Sequence, residues 1–278
     1  MKEEKEIQNS RPDPIVEKEK REEGKYIYCV INSTEEKDFG NMGIGGRGDK
    51  VHFVHYEDIA AVVSASPLIK YPISRENLLT HQKIMEMLME NHTVLPVKFG
   101  TVAGGKEGVD VAQRIRLEVL KARYEELKDL LAKMENKTEL GLKALWLDMK
   151  VIFQEIVEEN PKIKRIRDLV FSGKSAGLHN KKVTLGERVK NALEAKKAKE
   201  ADEIVATLKR CFVDMRSNKL FGDKMILNSA FLVDKGRSEE FDNIIKKLDL
   251  AHNGRMKFKY IGPVPPINFV ELVITLEE

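Results

Sequence analysis

The histidines are the side chains of this chain best suited to metal binding or proton transfer, but their spacing does not favour a site. His52 and His55 lie three residues apart in Val51–Tyr56, a predicted strand, so they point to opposite faces. His81 and His92 lie eleven residues apart, close to three helical turns, without a third ligand or a Glu-x-x-His pattern. We therefore predict packing or capping roles for them and no metal site.

The glycine-rich stretch from Gly40 to Gly48 has the composition of loops that bind phosphate groups. A Walker loop needs Gly-Lys-Ser or Gly-Lys-Thr running into a helix, and a dinucleotide-binding loop needs a helix directly after its glycines. Here the strand-like segment Val51–Tyr56 follows instead. We therefore predict a flexible hairpin connection, with no nucleotide or other cofactor bound.

Nucleophilic and acid–base chemistry has equally little support. The sequence has no Gly-x-Ser-x-Gly elbow, and its carboxylates alternate with lysines along predicted helices, as on solvated faces. Cys29 and Cys211 lie far apart without paired spacing, which is typical of reduced thiols in the cytoplasm. We predict no catalytic residue and no enzyme. The alternative is an enzyme whose site forms in a cleft between two domains, where polar side chains with perturbed pKa values would converge.

The basic stretch Lys162–Arg167 has the composition of a small nucleic-acid patch. Glu158, Glu159 and Asp168 flank it, and no aromatic residue interleaves with it to stack on bases. The whole chain is nearly balanced, with 48 basic against 45 acidic residues. We predict a solvated arm and no nucleic-acid partner; a nucleic-acid-binding or regulatory module that uses this arm remains the alternative.

Length and composition indicate how these residues are held. The 278 residues are enough for one or two domains, and a hydrophobic fraction of 42% can fill a core. No apolar run approaches the roughly 20 residues that cross a bilayer, and the N-terminus has no apolar signal segment. We predict a soluble cytoplasmic protein that does not bind membranes. Residues 1–23 are polar, and we predict a disordered tail.

Residues 24–136 show the pattern of an α+β domain, an antiparallel sheet with helices on one face. Short apolar segments joined by hairpin-length links predict strands at Tyr26–Ile31, Val51–Tyr56 and Ile59–Val63. Helical periodicity predicts one helix that begins after the capping residue Ser74 and ends near Glu90, and another from Gly108 to Met134.

Residues 137–278 predict a second α+β domain. The strands expected here are Lys137–Leu147, Met225–Val233 and Arg255–Tyr260. The helices expected between them are a long charged one, Leu185–Met215, and a shorter one, Ser238–Leu248. This order of elements favours a ferredoxin-like fold, again with helices on one face of an antiparallel sheet. We treat residues 158–182 as a basic insertion.

Prolines mark two segments suited to protein contacts. Three prolines within residues 260–270 predict a stiff extended connector that runs into an apolar strand, Phe269–Leu276. In the same way Pro96 predicts an edge or irregular strand within Thr93–Gly100. Sheet edges and rigid prolines are means of protein recognition. The predicted contact residues are Val94, Leu95, Pro96, Val97, Phe99, Pro263, Pro265 and Pro266.

Three stretches resemble the gas vesicle protein F/L family. They are Gly24-Lys-Tyr-Ile-Tyr28, then His81 followed by Val94-Leu-Pro-Val-Lys-Phe-Gly-Thr101, and Gly262-Pro-Val-Pro-Pro266 with Phe269-Val270. Asp58–Val63, Glu139–Lys143 and Leu227–Val233 support them, so the resemblance spans residues 24–276. The family usually has Trp between the prolines and Tyr after them, where this chain has Val264 and Ile267. A contact surface here would be built without those rings.

The resemblance implies an accessory protein of gas vesicle formation with two α+β domains, which contacts the hydrophobic shell protein and other gas vesicle accessory proteins. A protein that builds a gas-filled wall must expose apolar, strand-forming surface before assembly, and such surface aggregates unless it is covered. We expect the N-terminal domain to cover it with the edge Val94–Phe99. The expected location is the cytoplasm, at the gas vesicle.

Overall fold

The computed structural model describes residues 22–172 and 178–276, which form two antiparallel sheets with their helices. The predicted disordered tail lies outside the described residues except for Glu22 and Glu23, and Glu23 is already the first residue of a strand. None of the helices within these ranges is both long and apolar enough to cross a membrane.

The first sheet contains five strands, which are β1 (Glu23–Asn32), β2 (Val51–Tyr56), β3 (Ile59–Pro67), β4 (Val94–Pro96) and β5 (Val102–Ala103). Its order is β2-β3-β1-β4, with β5 also paired to β1. Because β3 lies between β1 and β2, the predicted hairpin role of the glycine-rich stretch is wrong. That stretch crosses the sheet, and it is held there by Ile44, which is fully buried and donates its amide hydrogen to the Tyr28 hydroxyl at 2.8 Å.

Helices pack beside this sheet in the predicted places. They are α1 (Arg75–Leu88), α2 (Val111–Arg114) and α3 (Tyr124–Met134), with a π-helical segment Ile115–Lys121 between α2 and α3. Ser74 caps α1 by accepting a hydrogen bond from the Asn77 amide at 3.2 Å, as its position predicts. The single helix expected from Gly108 to Met134 is divided, because the chain turns between the π-helical segment and α3.

Both faces of the first sheet carry helices. Tyr26 and Tyr28 pack with Ile84 of α1, whereas Ile27 belongs to the opposite core with Leu127 of α3. The expectation of helices on one face is therefore wrong for this sheet. The reason is the composition of β1 and β3, which contain the unbroken apolar runs Tyr26–Ile31 and Ile59–Val63, as strands covered on both faces do.

The second sheet has the strand order of a ferredoxin-like fold, which confirms the predicted class. Its strands β6 (Lys137–Trp146), β7 (Asp214–Ser217), β8 (Met225–Asp234) and β9 (Met256–Val264) are arranged as β7-β8-β6-β9, all antiparallel. The short polar β7 was not predicted, and it lies where the long helix was expected to end. The helices that accompany the second sheet are α4 (Met149–Glu159), α5 (Pro161–Phe171), α6 (Leu178–Leu208) and α7 (Ser238–Ala251).

The basic insertion expected at residues 158–182 is helical in its described part, because it contains α5 and the start of α6. Ile163 of α5 and Leu193 of α6 pack in one apolar cluster with Trp146 and Phe231 of the second sheet. The helical arm α4–α6 is therefore continuous with the core of the second sheet.

Charged side chains fix this arm to the sheet. Arg255, just before β9, donates to Glu155 of α4 at 2.8 Å and to Glu200 of α6 at 2.5 Å. Trp146, at the end of β6, donates its indole N–H to Glu200 Oε2 at 2.7 Å, and Lys196 contacts Glu155 at 3.1 Å. The hydrogen bond from Arg255 is the main cause that lowers the pKa of the Glu155 carboxyl. Because the charges are matched and bonded, we read this cluster as a structural clamp.

Candidate protein-contact surface

The predicted contact edge is the outer side of β4, at the end of the first sheet. Val97 donates its amide hydrogen inward to Tyr28 O at 3.1 Å, so the main-chain groups of Pro96 and Lys98 point outward. The nitrogen of Pro96 points away from β1, so its missing N–H removes no hydrogen bond between β4 and β1. A proline is therefore tolerated at this position. The strand is an edge strand, as the proline predicts.

The side chains predicted to make contacts on this edge are largely inside the protein. Val94, Leu95 and Val97 have 3%, 0% and 2% of their surface exposed, and Pro96 is buried too. Phe99 is half-buried, with its ring centroid 5.6 Å from that of His81. A partner at this edge would therefore meet the main chain first.

The chain's own C-terminal segment closes the β4 edge. Leu272 donates its amide hydrogen to Pro96 O at 2.8 Å, and Lys98 donates to Leu272 O at 3.0 Å, which forms an isolated parallel bridge. Val270 and Leu272 are 7% and 3% exposed and belong to the apolar core on the α3 side. Arg123 also donates to Val273 O at 3.1 Å. The expected strand Phe269–Leu276 is thus reduced to one bridge.

His81 ties the residues after β4 to α1. The Tyr26 hydroxyl lies 3.0 Å from His81 Nδ1 and accepts a hydrogen bond from the Gly100 amide at 2.9 Å. Burial lowers the pKa of His81 to about 4, against a hydrogen bond to the Val97 carbonyl that raises it. The ring is therefore neutral, with Nδ1 beside the Tyr26 hydroxyl. His81 is a core residue, as its spacing predicts.

The three C-terminal prolines lie in different surroundings. Pro263, near the end of β9, is exposed, whereas Pro265 and Pro266 are buried. Beyond them Asn268 donates to the carboxylate of Glu139 on β6, through its main-chain amide at 2.8 Å and its side-chain amide at 2.6 Å. The segment is thus anchored to the second sheet before it reaches the first, and we propose that residues 270–276 belong structurally with the N-terminal core.

A cleft of about 520 Å³ separates α1 from the start of α7. Its lining residues are Glu86, Met89, Glu90, Thr138, Lys235, Ser238 and Pro263. Lys235 donates its ammonium hydrogen to Met89 O at 2.9 Å, and its amide donates to Asn136 O at 2.7 Å. This lysine therefore joins the two halves of the chain at the cleft.

The basic stretch forms most of α5, next to a surface groove of about 460 Å³ between α5 and α6. Lys162, Ile163, Arg188 and Asn191 are among its lining residues. The aromatic ring nearest this stretch in the chain, Phe171, is 81% exposed at the end of α5. Across residues 22–172 and 178–276, no three His, Cys, Asp or Glu side chains come together as a metal site requires.

Sequence reasoning missed the residues that close the edge, chiefly Leu272, Asn268 and Glu139. The sequence predicts an apolar strand at Phe269–Leu276, and the structure has apolar residues of this segment in the core. Nothing local in it says which of two sheets it joins. Glu139 and Asn268 are 129 residues apart, so their pairing is invisible to local patterns.

These features define a two-sheet α+β protein whose first sheet ends in an edge closed by the chain's own C-terminal segment. The sequence profile of the family described as gas vesicle synthesis protein GvpL/GvpF matches residues 24–271. The chain belongs to this family, which gives it a role associated with gas vesicles.

Relatives and solved structures agree with this assignment. The chain is 28% identical to gas vesicle protein F of Streptomyces sp. (strain CB03234), over 88% of this chain and 99% of the relative. It is 26% identical to gas vesicle protein F of Microcystis aeruginosa (strain PCC 7806), over 90% and 99%. The crystal structure of the gas vesicle protein GvpF from Anabaena sp. PCC7120 superposes with a TM-score of 0.76 at 22% identity, over 90% of this chain and 98% of that one. This likeness confirms the two-domain α+β fold.

Proposed function

We propose that this chain is an accessory protein of gas vesicle formation that binds the hydrophobic shell protein and covers its apolar surface until assembly. The observation that carries the proposal is membership of the GvpL/GvpF family across residues 24–271. A wall that excludes water needs subunits with apolar, strand-forming surface, and such surface aggregates when it is left open.

The contact surface that we propose is the β4 edge, Val94–Phe99, together with the prolines at 263, 265 and 266. Two observations support it. The edge terminates the first sheet, and it already holds an extended apolar segment by main-chain hydrogen bonds at Pro96 and Lys98. Pro263 is exposed beside the cleft. The β4 edge would hold the shell protein on the N-terminal domain, and Pro263 at the end of β9 would add a contact from the second sheet.

We further infer that the protein contacts other gas vesicle accessory proteins, acts in the cytoplasm at the gas vesicle, and catalyses no reaction. Several polar groups that could have indicated an active site are engaged in structural bonds. Tyr26 and His81 bond to each other, Arg255 bonds to Glu200, and Lys235 bonds to a main-chain carbonyl.

Co-expression of the shell protein with the full-length, tagged chain tests the binding. We expect the shell protein to move from the insoluble to the soluble fraction and to co-purify with the tag. A photo-reactive residue placed at Lys98, at the β4 edge, should cross-link to it. The same residue at Lys164 is the matched control, because both lysines are exposed and Lys164 lies on α5.

Two results would overturn parts of the proposal. Shell protein that stays insoluble and uncaptured would remove the binding function. Cross-links from position 164 in the absence of any from position 98 would move the contact from the N-terminal domain to the helical arm.

A further inference from the structure

The C-terminal segment occupies the β4 edge in the way that a strand of another protein would. Leu272 satisfies the two outward main-chain groups, the Pro96 carbonyl and the Lys98 amide. Val270 and Leu272 face the core, whereas Glu271 between them and Val273 after them are exposed. Main-chain bonds with alternate side chains in an apolar groove are the features of strand addition.

The groove that receives these side chains is built from the first sheet and α3. Val270 and Leu272 cluster with Leu95 and Val97 of the edge and with Leu127 of α3, and Ile274 and Leu276 pack against the same cluster. The groove thus accepts apolar side chains at every second position of an extended chain. Any segment that occupies the groove, whether from this chain or from a partner, must meet this requirement.

The C-terminal segment pairs with only part of the β4 edge. Leu272 makes one bridge, and Arg123 holds the next carbonyl. The strand alternation points the main-chain groups of Val94 to the same outer side as those of Pro96. An incoming strand that also paired with Val94 would gain hydrogen bonds that the chain's own segment does not make there.

The segment also has a fixed point from which it can leave. Asn268 is bonded twice to Glu139, and the Phe269 ring lies 5.6 Å from the Arg216 guanidinium, both on the second sheet. Residues 270–276 can therefore leave the first sheet while the preceding residues stay attached. A short tether keeps the local concentration of the segment high, on the order of millimolar, so that it closes the groove again once an occupant has gone.

We propose that the groove between β4 and α3 is a recognition site for an extended partner segment with apolar residues at alternate positions, closed in cis by residues 270–276. The occupant to which we commit is a strand-forming segment of the gas vesicle shell protein. The inference rests on the proposed function and adds to it that binding requires the C-terminal segment to leave. The apparent affinity of the partner is reduced by the fraction of molecules that are closed.

Hydrogen exchange of the unmodified, full-length protein tests the opening directly. The amide of Lys98 is bonded to Leu272 O, and the adjacent amide of Val97 is bonded to Tyr28 O inside the sheet. We expect the Lys98 amide to exchange at least tenfold faster, because its partner leaves without unfolding of the sheet. Equal protection of both amides would mean that the segment leaves only on global unfolding, which overturns the proposal.

A labelled synthetic peptide with the sequence of residues 266–276 tests whether the groove takes a segment in trans. Leu272→Asp removes the apolar anchor of the chain's own segment, and Val273→Asp changes a neighbouring side chain that is 55% exposed. We expect the Leu272→Asp protein to bind the peptide at least tenfold more tightly than the unmodified protein does. The Val273→Asp protein should bind it with the affinity of the unmodified protein. Equal binding by all three folded proteins would overturn the groove as a binding site.

Capture of the shell protein separates this inference from the proposed function. Leu272→Asp should capture severalfold more shell protein than the unmodified chain and Val273→Asp. Capture that is equal for all three leaves the proposed function standing and overturns the closed groove. Peptide binding with no shell capture by any variant rejects the shell protein as the occupant.

Discussion

The hydroxyl of Tyr26 lies 3.0 Å from Nδ1 of His81, and this contact joins the first strand of the N-terminal sheet to the helix above it. The same hydroxyl accepts a hydrogen bond from Gly100, and the Val97 carbonyl accepts one from the imidazole. Two core side chains therefore hold both ends of the loop that follows β4. The geometry of the proposed contact edge depends on a neutral histidine.

The free energy of unfolding should decrease as the pH is lowered, because His81 is protonated more readily in the unfolded chain than in the folded protein. Its pKa is lowered to about 4 by burial, from 6.5, so between these values the unfolded chain binds a proton that the folded protein does not. The contribution is complete above pH 6.5 and is lost as the pH falls to about 4, by about 3 kcal/mol in total. Urea unfolding across pH 4–7 measures it.

The matched variants for this pH dependence are His81→Gln and His52→Gln. His81→Gln should lower stability at pH 7 and flatten the dependence on pH. His52→Gln should flatten it less, because this side chain on β2 is half-buried, although burial also lowers the pKa of His52. An unchanged slope in His81→Gln would show that His81 is not the group that titrates.

Tyr26→Phe should destabilise the protein by about 1–3 kcal/mol, since it leaves His81 Nδ1 and the Gly100 amide without their partner in the core. Tyr56→Phe is the control, because its half-buried ring packs against Tyr124 and the substitution keeps that contact. The control should change stability by no more than about 0.5 kcal/mol. Chemical denaturation compares the two, and equal stability would contradict the bonded role of Tyr26.

Arg255→Met should lower the free energy of unfolding by about 2–4 kcal/mol. It removes the guanidinium that bonds both Glu155 and Glu200 and leaves Lys196, 3.1 Å from Glu155 and 3.9 Å from Glu200, as the remaining cation of the cluster, while Glu200 has only 10% of its side chain exposed. Lys50→Met, which removes an exposed pair with Asp38, should cost at most about 1 kcal/mol. Thermal or urea unfolding gives both values; a similar small cost for each would mean that the cluster does not anchor the arm.

Two glycine substitutions should act in opposite directions. A Cβ at Gly24 would lie 2.4 Å from Ala103 O, so Gly24→Ala must push β5 away from β1 and should cost about 1–3 kcal/mol. A Cβ at Gly186, within α6, meets no atom within 4 Å, so Gly186→Ala should stabilise the protein by about 0.5–1 kcal/mol. Unfolding curves decide, and destabilisation by Gly186→Ala would contradict the helix at that position.

The elements were largely predictable where the signal is local. Strands β1, β2, β3, β6 and β8 and the Ser74 cap follow from side-chain periodicity and hydrogen-bonding capacity within a few residues. The divided helix at residues 111–134 and the polar strand β7 did not follow, because a turn and an edge pairing depend on neighbours far along the chain. The candidate edge itself was predictable from Pro96, since a proline cannot donate to a neighbouring strand.

The sequence predicts an edge or irregular strand around Pro96, an apolar strand at Phe269–Leu276 and a resemblance to gas vesicle protein F/L. That these two segments meet emerges from the folded chain alone. More than half of the chain separates Leu272 from Pro96 in the sequence. The two still meet, because burial of an apolar side chain lowers the free energy of the folded state regardless of sequence separation. Local patterns specify which side of a segment is apolar, and three-dimensional packing chooses what covers it.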